Sequence, residues 1–344
     1  MNVLMITPHF APRLGGVEKH VLRVSEELTR LGHAVTVLTR LWKPGWPRDE
    51  DLIGIHVRRV PGGMAKAVCD RQLDVLNRAQ VIHCHDLYSY LRFIAPAWPG
   101  PRPPLFVTFH GYEGYPLRRT ARWLRRRLAA RAAATICMGE FIPRWYGHRC
   151  DLVSYGGVDS PPARVPDPPP QAPALYVGRL APDTGIMRYV ETLRRLRERG
   201  HDLPLVICGD GPLRDTVLSA ARMAGVSVAV QGWTREVGPF LEGCRFAFVS
   251  GYLTILEAMA YRRLACALYD NPLKRDYLEL FPASSHMVAA DEPDRLAAAI
   301  ARHLEQPEAS SAGLDAAEAY ARAQTWARVA ALYLDLYRGR GLPA

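Results

Sequence analysis

Two segments of the sequence combine residue types that suit a phosphorylated ligand. Val177-Gly178-Arg179-Leu180 is an apolar strand that runs into a Gly-Arg turn, and Ser250-Gly-Tyr-Leu-Thr-Ile-Leu-Glu257 begins a helix that carries one carboxylate. Glycine lets the backbone approach a ligand closely, and a guanidinium group matches phosphate oxygens. Because Glu257 can accept hydrogen bonds from ribose hydroxyls, these segments, with Leu253 and Thr254, predict a pocket for a nucleotide diphosphate that carries a sugar.

Two further candidates follow strands nearer the N-terminus. Gly15-Gly16 lies between a strand and a helix, where open α/β sheets bind ligands and where helix amides suit an oxyanion. A tight strand-to-helix turn is the alternative explanation. His110 follows Leu105–Phe109, so we expect it at the ligand-binding edge of the sheet, although a lone histidine is often structural. His85 ends the preceding strand and is expected to support His110 from behind.

Two glycine-containing turns follow later strands. Gly209-Asp-Gly-Pro212 has Arg214 where a dinucleotide-binding fingerprint needs glycine, which argues against an NAD site. Gly232-Trp233 follows the next strand. Trp233 is a candidate contact for the nucleotide base, with simple packing as the alternative.

The elements that must position these residues form two α/β domains. Strand-like and helix-like runs alternate from Val3, and the alternation restarts after the proline-rich stretch Pro161–Pro170. One helix has apolar residues spaced by three and four and ends at Gly32. We predict two Rossmann-like doubly wound parallel sheets facing a cleft, with these boundaries: domain 1–159, linker 160–173, domain 174–325, and a final helix 326–344 that crosses back to the first domain.

Composition fits a globular protein of the cytoplasm. The 344 residues are 49% hydrophobic and 23% charged, and seven cysteines are scattered without a Cys-x-x-Cys pair. This cysteine pattern argues against disulfides and a zinc site. No apolar run approaches the length of a membrane span, and Met1–Thr7 resembles a buried strand, not a signal peptide.

The net charge of +10 (44 basic minus 34 acidic residues) is concentrated in one segment. Residues 117–131 contain seven arginines and no acid, with a packing stripe of Leu117, Ala121, Leu124 and Leu128 and with Trp123 on the polar flank. A basic helix of this kind suits an anionic membrane surface. A solvated face in an arginine-rich proteome is the alternative. No nucleic-acid-binding motif accompanies the charge, so we expect no nucleic-acid partner.

The order and residue sequences of these motifs resemble those of the retaining GT-B glycosyltransferases of family 4 over nearly the whole chain. The resemblance implies that His110 contacts the donor sugar at the reaction centre and that Arg179 stabilises the leaving diphosphate. It also implies that Gly15-Gly16 faces the diphosphate or the acceptor, and that backbone groups at Gly232-Trp233 hold the base. Gly178 and Gly209 belong to the same motif set. Such enzymes use a nucleotide sugar as co-substrate and need no metal or other cofactor.

Two positions depart from that family pattern. The family's two glutamates have seven intervening residues, so the partner of Glu257 falls on Val249, which cannot bond sugar hydroxyls. The family's lysine beside the arginine corresponds to Thr184. Lys274 and Arg275 are candidates for the missing positive charge.

The sequence thus predicts a cytoplasmic transferase, peripheral on the inner membrane face, that moves a hexose with retention of configuration. The acceptor expected is a glycolipid, a polysaccharide precursor of the cell envelope or a small molecule. Because Val249 and Thr184 are unusual, two alternatives stay open: a non-catalytic nucleotide-sugar-binding protein, and a GT-B epimerase that isomerises its nucleotide sugar.

Overall fold

The computed structural model describes residues 1–61, 73–86, 103–169 and 171–339. The chain divides into two compact units. The first comprises residues 1–156 with 326–344, and the second comprises residues 157–325. The final helix therefore belongs to the first unit, although its sequence follows the second.

The described part of the first unit forms an eight-stranded sheet of order β3-β4-β2-β1-β5-β6-β7-β8, in which the pair β3–β4 is antiparallel and the other pairs are parallel. Its strands are β1 (Asn2–Ile6), β2 (Ala34–Arg40), β3 (Asp49–Leu52), β4 (Ile55–Val60), β5 (Val81–His85), β6 (Leu105–Phe109), β7 (Ala134–Met138) and β8 (Leu152–Ser154). Its helices are α1 (Gly16–Arg30), α2 (Leu73–Arg78), α3 (Arg119–Arg131), α4 (Phe141–Tyr146) and α12 (Trp326–Arg338).

Helix α1 forms where the three-and-four spacing predicted it. Val21, Val24 and Leu28 are fully buried, whereas Leu31, also placed on that stripe, is 46% exposed beyond the helix end. Gly32 has φ +82°. Its N–H donates to the Thr29 carbonyl, and the N–H of His33 donates to the Leu28 carbonyl. This left-handed cap ends the helix as predicted. Helix α12 packs against α1.

The second unit contains a six-stranded parallel sheet of order β11-β10-β9-β12-β13-β14. Its strands are β9 (Ala174–Val177), β10 (Leu205–Cys208), β11 (Val228–Gly232), β12 (Phe246–Phe248), β13 (Leu264–Leu268) and β14 (Val288–Ala290). Its helices are α5 (Ile186–Glu198), α6 (Arg214–Met223), α7 (Gly238–Gly243), α8 (Tyr252–Ala260), α9 (Pro272–Glu279), α10 (Pro293–Glu305) and α11 (Ser311–Arg322). The buried face of α5 packs on this sheet through Tyr189 and Leu193.

The proline-rich segment lies on the second unit. Arg262 forms an ion pair with Asp167 at 2.7 Å, Arg263 donates to the Pro166 carbonyl at 2.8 Å, and Arg322 donates to the Pro162 carbonyl at 2.8 Å. These bonds satisfy carbonyl groups that a proline-rich chain cannot pair in a sheet. The segment predicted as a linker is thus fastened to the body of the second unit.

Candidate functional site

Each sheet reverses its strand order at one point, and the predicted site residues of both units lie near these points. In the first sheet β1 lies between β2 and β5, and in the second β9 lies between β10 and β12. Ligands of open α/β sheets bind outside the carboxyl ends of strands at such a switch point. Each unit therefore has one candidate ligand-binding edge.

His110 lies at the carboxyl edge of the first sheet, directly after β6. Its ring nitrogen Nε2 is 2.9 Å from Nδ1 of His85, the last residue of β5. Its backbone N–H donates to the Asp86 carboxylate at 3.0 Å. His20, on α1, places its ring 4.9 Å from that of His110 in an edge-to-face arrangement. Three imidazoles from separate elements thus meet at this edge.

These imidazoles are kept neutral. Burial, assisted by the charge of Arg125, lowers the pKa of His110 to about 3. Burial also lowers the pKa of His20 and of His85 well below the ordinary histidine value. At neutral pH, His110 can therefore donate or accept one hydrogen bond without carrying a charge. The sequence suggested no cluster of metal ligands, yet His20, His85 and His110 bring three ring nitrogens together.

Arg125 supports the loop that carries His110. This side chain is 3% exposed and lies within the arginine-rich helix α3. It pairs with Glu113 at 2.7 Å, donates to the Gly111 carbonyl at 2.6 Å and lies 4.0 Å from the centre of the Tyr146 ring. Arg125 is thus a structural residue and does not contribute to the basic surface.

The other arginines of this segment lie outward. Ala121 and Leu128 are buried as predicted, Leu117 and Leu124 are half-buried, and Trp123 is 54% exposed with Arg127 over its ring. The exposed arginines of the segment are Arg118, Arg119, Arg122, Arg126, Arg127 and Arg131.

Gly15 and Gly16 begin α1. Gly15 precedes the helix in extended backbone, and Gly16 is its first residue. A side chain at Gly15 would overlap the carboxylate of Glu18, which pairs with Arg13 at 3.4 Å. The absence of a β-carbon therefore leaves room for Glu18 to fold over the start of the helix.

Arg179 lies at the switch point of the second sheet, in the turn after β9. Its guanidinium group is exposed and pairs with Asp183 at 2.7 Å. The Arg179 carbonyl accepts hydrogen bonds from Tyr176 at 2.9 Å and from Thr184 at 3.0 Å, and Thr184 also bonds the Ala181 carbonyl at 2.7 Å. Thr184, where the family pattern has lysine, thus fixes the backbone that presents Arg179.

Gly209 and Gly211 allow two turns to pack against each other. A β-carbon at Gly209 would overlap the Gly178 carbonyl oxygen and lie 2.9 Å from its carbon, and one at Gly211 would meet the Leu180 carbonyl. The backbone N–H of Gly178 donates to the Cys208 carbonyl at 3.1 Å, and the N–H of Leu180 donates to the Asp210 carbonyl at 3.0 Å. The Gly-Asp-Gly-Pro turn therefore supports the Gly178-Arg179 turn from the adjacent strand.

Lys274 brings a second cation to this edge. Its ammonium group donates to the Ser250 carbonyl at 2.5 Å, in the loop between β12 and α8, and lies 4.0 Å from the Tyr277 ring centre. Burial lowers the pKa of Lys274 to about 8, opposed by the negative charges of Asp270 and Asp183. Because Asp183 also pairs with Arg179, the two cations share one acidic neighbour. Lys274 therefore places a second positive charge near the Gly178-Arg179 turn, in which Thr184 carries none.

Arg275, the other candidate for that charge, lies beside carboxylates of its own helix. It is 3.8 Å from Asp276 and 3.7 Å from Glu279, and half of its side chain is exposed. The structure thus brings Lys274, and not Arg275, to the Ser250 loop.

Helix α8 presents the remaining donor-site candidates of the second unit. Leu253, Thr254 and Glu257 are all half-buried. The Thr254 hydroxyl caps the helix by accepting from the Gly251 N–H at 3.4 Å, and it donates to the Gly251 carbonyl at 2.8 Å. Glu257 lies in the second turn. Val249 is 2% exposed and its carbonyl accepts a bond from Tyr189 at 2.8 Å, so this position belongs to the apolar core.

Gly232 ends strand β11, the neighbour of β10, and Trp233 follows it. Gly232 has φ +75° and bridges to Gly209, so it adjoins the same turn. Trp233 is 49% exposed. This exposure disfavours simple packing and leaves the ring available to a ligand.

Sequence comparisons assign both units to one group of enzymes. The model for Glycosyltransferase Family 4 matches residues 14–160, and the model for Glycosyl transferases group 1 matches residues 172–306. A GDP-mannose-dependent alpha-mannosyltransferase of Mycolicibacterium smegmatis is 30% identical over 65% of this chain and 68% of its own length. The chain belongs to the glycosyltransferase family that these two models describe. A mannosyltransferase of the same description from Mycobacterium tuberculosis is 31% identical over 64% of the chain and 65% of its own length.

Solved structures confirm the GT-B fold. Sucrose-phosphate synthase from Thermosynechococcus elongatus aligns with a TM-score of 0.75 at 17% identity, covering 98% of both chains. An Anabaena protein, HepE, solved with UDP and glucose, aligns with a TM-score of 0.75 at 15% identity, over 98% of this chain and 100% of its own. The S. aureus protein TarM, in a complex that includes UDP, gives 0.77 at 9% identity, over 98% and 99%. The predicted fold class, two parallel-sheet α/β domains, is therefore confirmed.

Two of the residues at these edges were missed or underrated in the sequence. His20 follows Lys19 on α1 and carries no spacing signal, because its neighbours are brought to it by other strands. Lys274 was one of two adjacent cations, and only its bond to Ser250 distinguishes it from Arg275. Among the described helices, none combines the length and hydropathy needed to cross a bilayer. The described cysteines are free thiols, and Cys69 lies outside the described residues.

Proposed function

We propose that this glycosyltransferase-family protein moves a hexose from a nucleoside diphosphate sugar to an acceptor hydroxyl, with retention of configuration. The observation that carries the proposal is the pair of cations, Arg179 and Lys274, at the carboxyl edge of the second sheet, with Asp183 close to both of their charges. Two cations suit a diphosphate, because each offers charge-assisted hydrogen bonds to its oxygens.

The remaining donor contacts follow from the same edge. Glu257 accepts hydrogen bonds from the ribose hydroxyls, the backbone at the start of α8 faces the diphosphate, and Trp233 stacks on the base. GDP-mannose is the first donor to test, because the two mycobacterial relatives are named for it. Val249 replaces the carboxylate that reads the sugar hydroxyls in the resembled family, so we expect loose discrimination among sugar rings.

In the proposed reaction the acceptor oxygen forms a bond to the anomeric carbon as the bond from that carbon to the diphosphate breaks. The acceptor proton passes to the leaving diphosphate on the same face. Arg179 and Lys274 stabilise the growing negative charge. His110, neutral at physiological pH, bonds the donor sugar at the reaction centre, and it needs no metal or other cofactor for that role.

The direct test is binding followed by turnover. Thermal-shift screening against UDP-, GDP- and ADP-sugars should identify the donor, because a ligand at one hundred times its Kd adds about 2.7 kcal/mol of stability. Calorimetry with Glu257→Gln should then show weaker nucleotide binding with an unchanged melting temperature. Failure of every nucleotide sugar to raise the melting temperature would reject the proposal.

A non-catalytic protein that binds the nucleotide sugar is the second candidate. It is favoured by Val249, which stands where the resembled family has a glutamate. Release of free nucleoside diphosphate, measured with and without candidate acceptors, separates the two. Release that requires acceptor supports the transferase. Binding without release supports the binding protein, and interconversion of the nucleotide sugar itself supports the epimerase.

We further propose that the protein associates with anionic membrane on the cytoplasmic side. The exposed arginines of α3 and its preceding turn support this, because basic residues near an anionic bilayer contribute about 1 kcal/mol each. The acceptor would then be lipid-linked or otherwise presented at the membrane.

A further inference from the structure

The histidine cluster of the first unit has the composition of a metal site. One ring nitrogen from each of His20, His85 and His110 lies within 4.8 Å of those of the other two. A tetrahedral zinc ion with bonds of 2.0–2.1 Å holds its ligand atoms about 3.4 Å apart. That limit of 4.8 Å exceeds the tetrahedral spacing, so the rings would adjust on binding a metal, and Nδ1 of His85 already lies 2.9 Å from Nε2 of His110.

His20 supplies an independent observation. Its Nδ1 atom is buried and has no hydrogen-bond partner among the residues that the structure describes. Its other nitrogen, Nε2, is 2.8 Å from the Tyr333 hydroxyl. A buried imidazole nitrogen without a partner is costly, and a bound cation would satisfy it.

The surroundings of His20 orient its ring as metal sites usually do. A metal-bound histidine commonly donates its second N–H to a fixed partner, which sets the tautomer. The Tyr333 hydroxyl would accept that hydrogen bond. It lies 3.1 Å from the Thr108 hydroxyl, which lies 2.7 Å from Nε2 of His83. With Nε2 engaged in this chain, Nδ1 keeps its lone pair.

We propose that His20, His85 and His110 form a site for a divalent transition metal of the zinc class, with water as the fourth ligand. Three histidines and one exchangeable position are a common zinc arrangement, and imidazole favours zinc, cobalt, nickel and copper over magnesium or calcium. His110 would exchange its bond to His85 for the metal. Metal binding would therefore compete with the role of His110 under the proposed function.

Cobalt is the probe for the test, because four-coordinate Co²⁺ absorbs in the visible. Titration of the untagged full chain with Co²⁺ should give one equivalent of visible bands typical of tetrahedral coordination, and Zn²⁺ should abolish them. His20→Gln and His85→Gln should each weaken Co²⁺ binding at least tenfold. Tyr333→Phe, which keeps all three ligands, should weaken it about tenfold or more.

His33→Gln is the matched control, because His33 is in the same unit but contacts the Met1 amino group at 3.2 Å. It should bind Co²⁺ like the parent protein. The proposal is wrong if the parent protein shows no such bands, if sulfur-to-cobalt charge-transfer bands appear, or if both His20→Gln and Tyr333→Phe retain full affinity. None of these readouts needs turnover, so they are independent of the proposed transferase activity.

Discussion

The carbonyl oxygen of Gly178 occupies the space that a β-carbon of Gly209 would require. Two turns that follow neighbouring strands, β9 and β10, are in contact through their backbones there. The position of Arg179 is therefore set by a residue thirty positions later in the chain, and the Gly-Asp-Gly-Pro motif acts on the Gly178-Arg179 turn through packing.

Gly209→Ala should destabilise the protein by about 2 kcal/mol or more, since the new carbon meets backbone atoms that cannot rotate away. Urea denaturation of the purified variant measures this. Gly243→Ala is the control, because a β-carbon at the end of α7 meets no atom within 4 Å. Equal stability of the two variants would contradict the packing role of Gly209.

Arg179→Ala should weaken binding of the nucleoside diphosphate by about 1.5–3 kcal/mol, which is roughly a 10- to 150-fold rise in Kd. The loss of a charge-assisted contact to phosphate is the reason, since the exposed pair with Asp183 contributes little to stability. Calorimetry measures the Kd. Arg195→Ala removes a similar exposed pair, with Glu191 at 2.9 Å on α5, and should bind like the parent protein.

Lys274 predicts a pH dependence of donor binding. With a pKa of about 8, lowered by burial, about 90% of this side chain is charged at pH 7 and about 10% at pH 9. A bound diphosphate favours the charged form, so affinity should be nearly full at about pH 7 and should fall as the pH rises through about 8. Calorimetric titrations across this range check the direction.

The Lys274→Met variant should bind the nucleoside diphosphate more weakly at pH 7 and should lose most of this pH dependence. Any dependence that remains comes from titration of the ligand's phosphates. Arg275→Ala should follow the parent protein at every pH, because Arg275 lies beside Asp276 and Glu279. A Lys274→Met variant with the parent pH profile would exclude Lys274 from the donor site.

His110→Ala should lower turnover by about 100-fold or more, while nucleotide affinity changes little, because a group that bonds the reacting sugar acts mainly in the transition state. The loop should keep its shape, since Asp86 accepts from the backbone N–H, which alanine retains. Steady-state kinetics and calorimetry on the same preparation separate the effects. Equal losses of rate and affinity would assign His110 a structural role.

The triple substitution Arg118→Gln, Arg119→Gln and Arg122→Gln should weaken binding to anionic vesicles by about 3 kcal/mol, or roughly 100-fold, and salt should weaken the parent protein similarly. Co-sedimentation with anionic and with neutral vesicles measures this. The control replaces Arg194 and Arg195 on α5 and Arg199 directly after it, where Glu191, Glu198 and Asp294 balance the charge. Binding that ignores lipid charge would reject the membrane proposal.

Much of the fold was predictable because buried elements leave strong local patterns. The strand from Leu105 to Phe109 lies where its apolar run predicted it. Strand β3 was missed because Asp49-Glu-Asp-Leu52 is acidic. It forms because it pairs antiparallel with basic β4, where Arg58 bonds Asp49 at 2.8 Å. Strand β14 is a short edge strand with a weak signal.

The candidate site was only partly predictable, because several of its contacts join residues distant in sequence. The end of a strand identifies His110, but nothing near residue 20 indicates that His20 will meet it. Thr184 could be recognised as a missing lysine, yet its bonds to the carbonyls of Arg179 and Ala181 depend on the turn geometry. Chemistry at strand ends is readable from sequence, whereas convergence of side chains from separate elements is not.

The assignment of α12 to the first unit has a consequence for the order in which the protein folds during translation. The second unit is contiguous, so all of its residues have left the ribosome before Tyr333 and Tyr337 are available. These tyrosines bond the buried histidines His20 and His83. Nascent chains should therefore complete the second unit first. The first unit, although most of it is synthesised earlier, is completed only when helix α12 emerges.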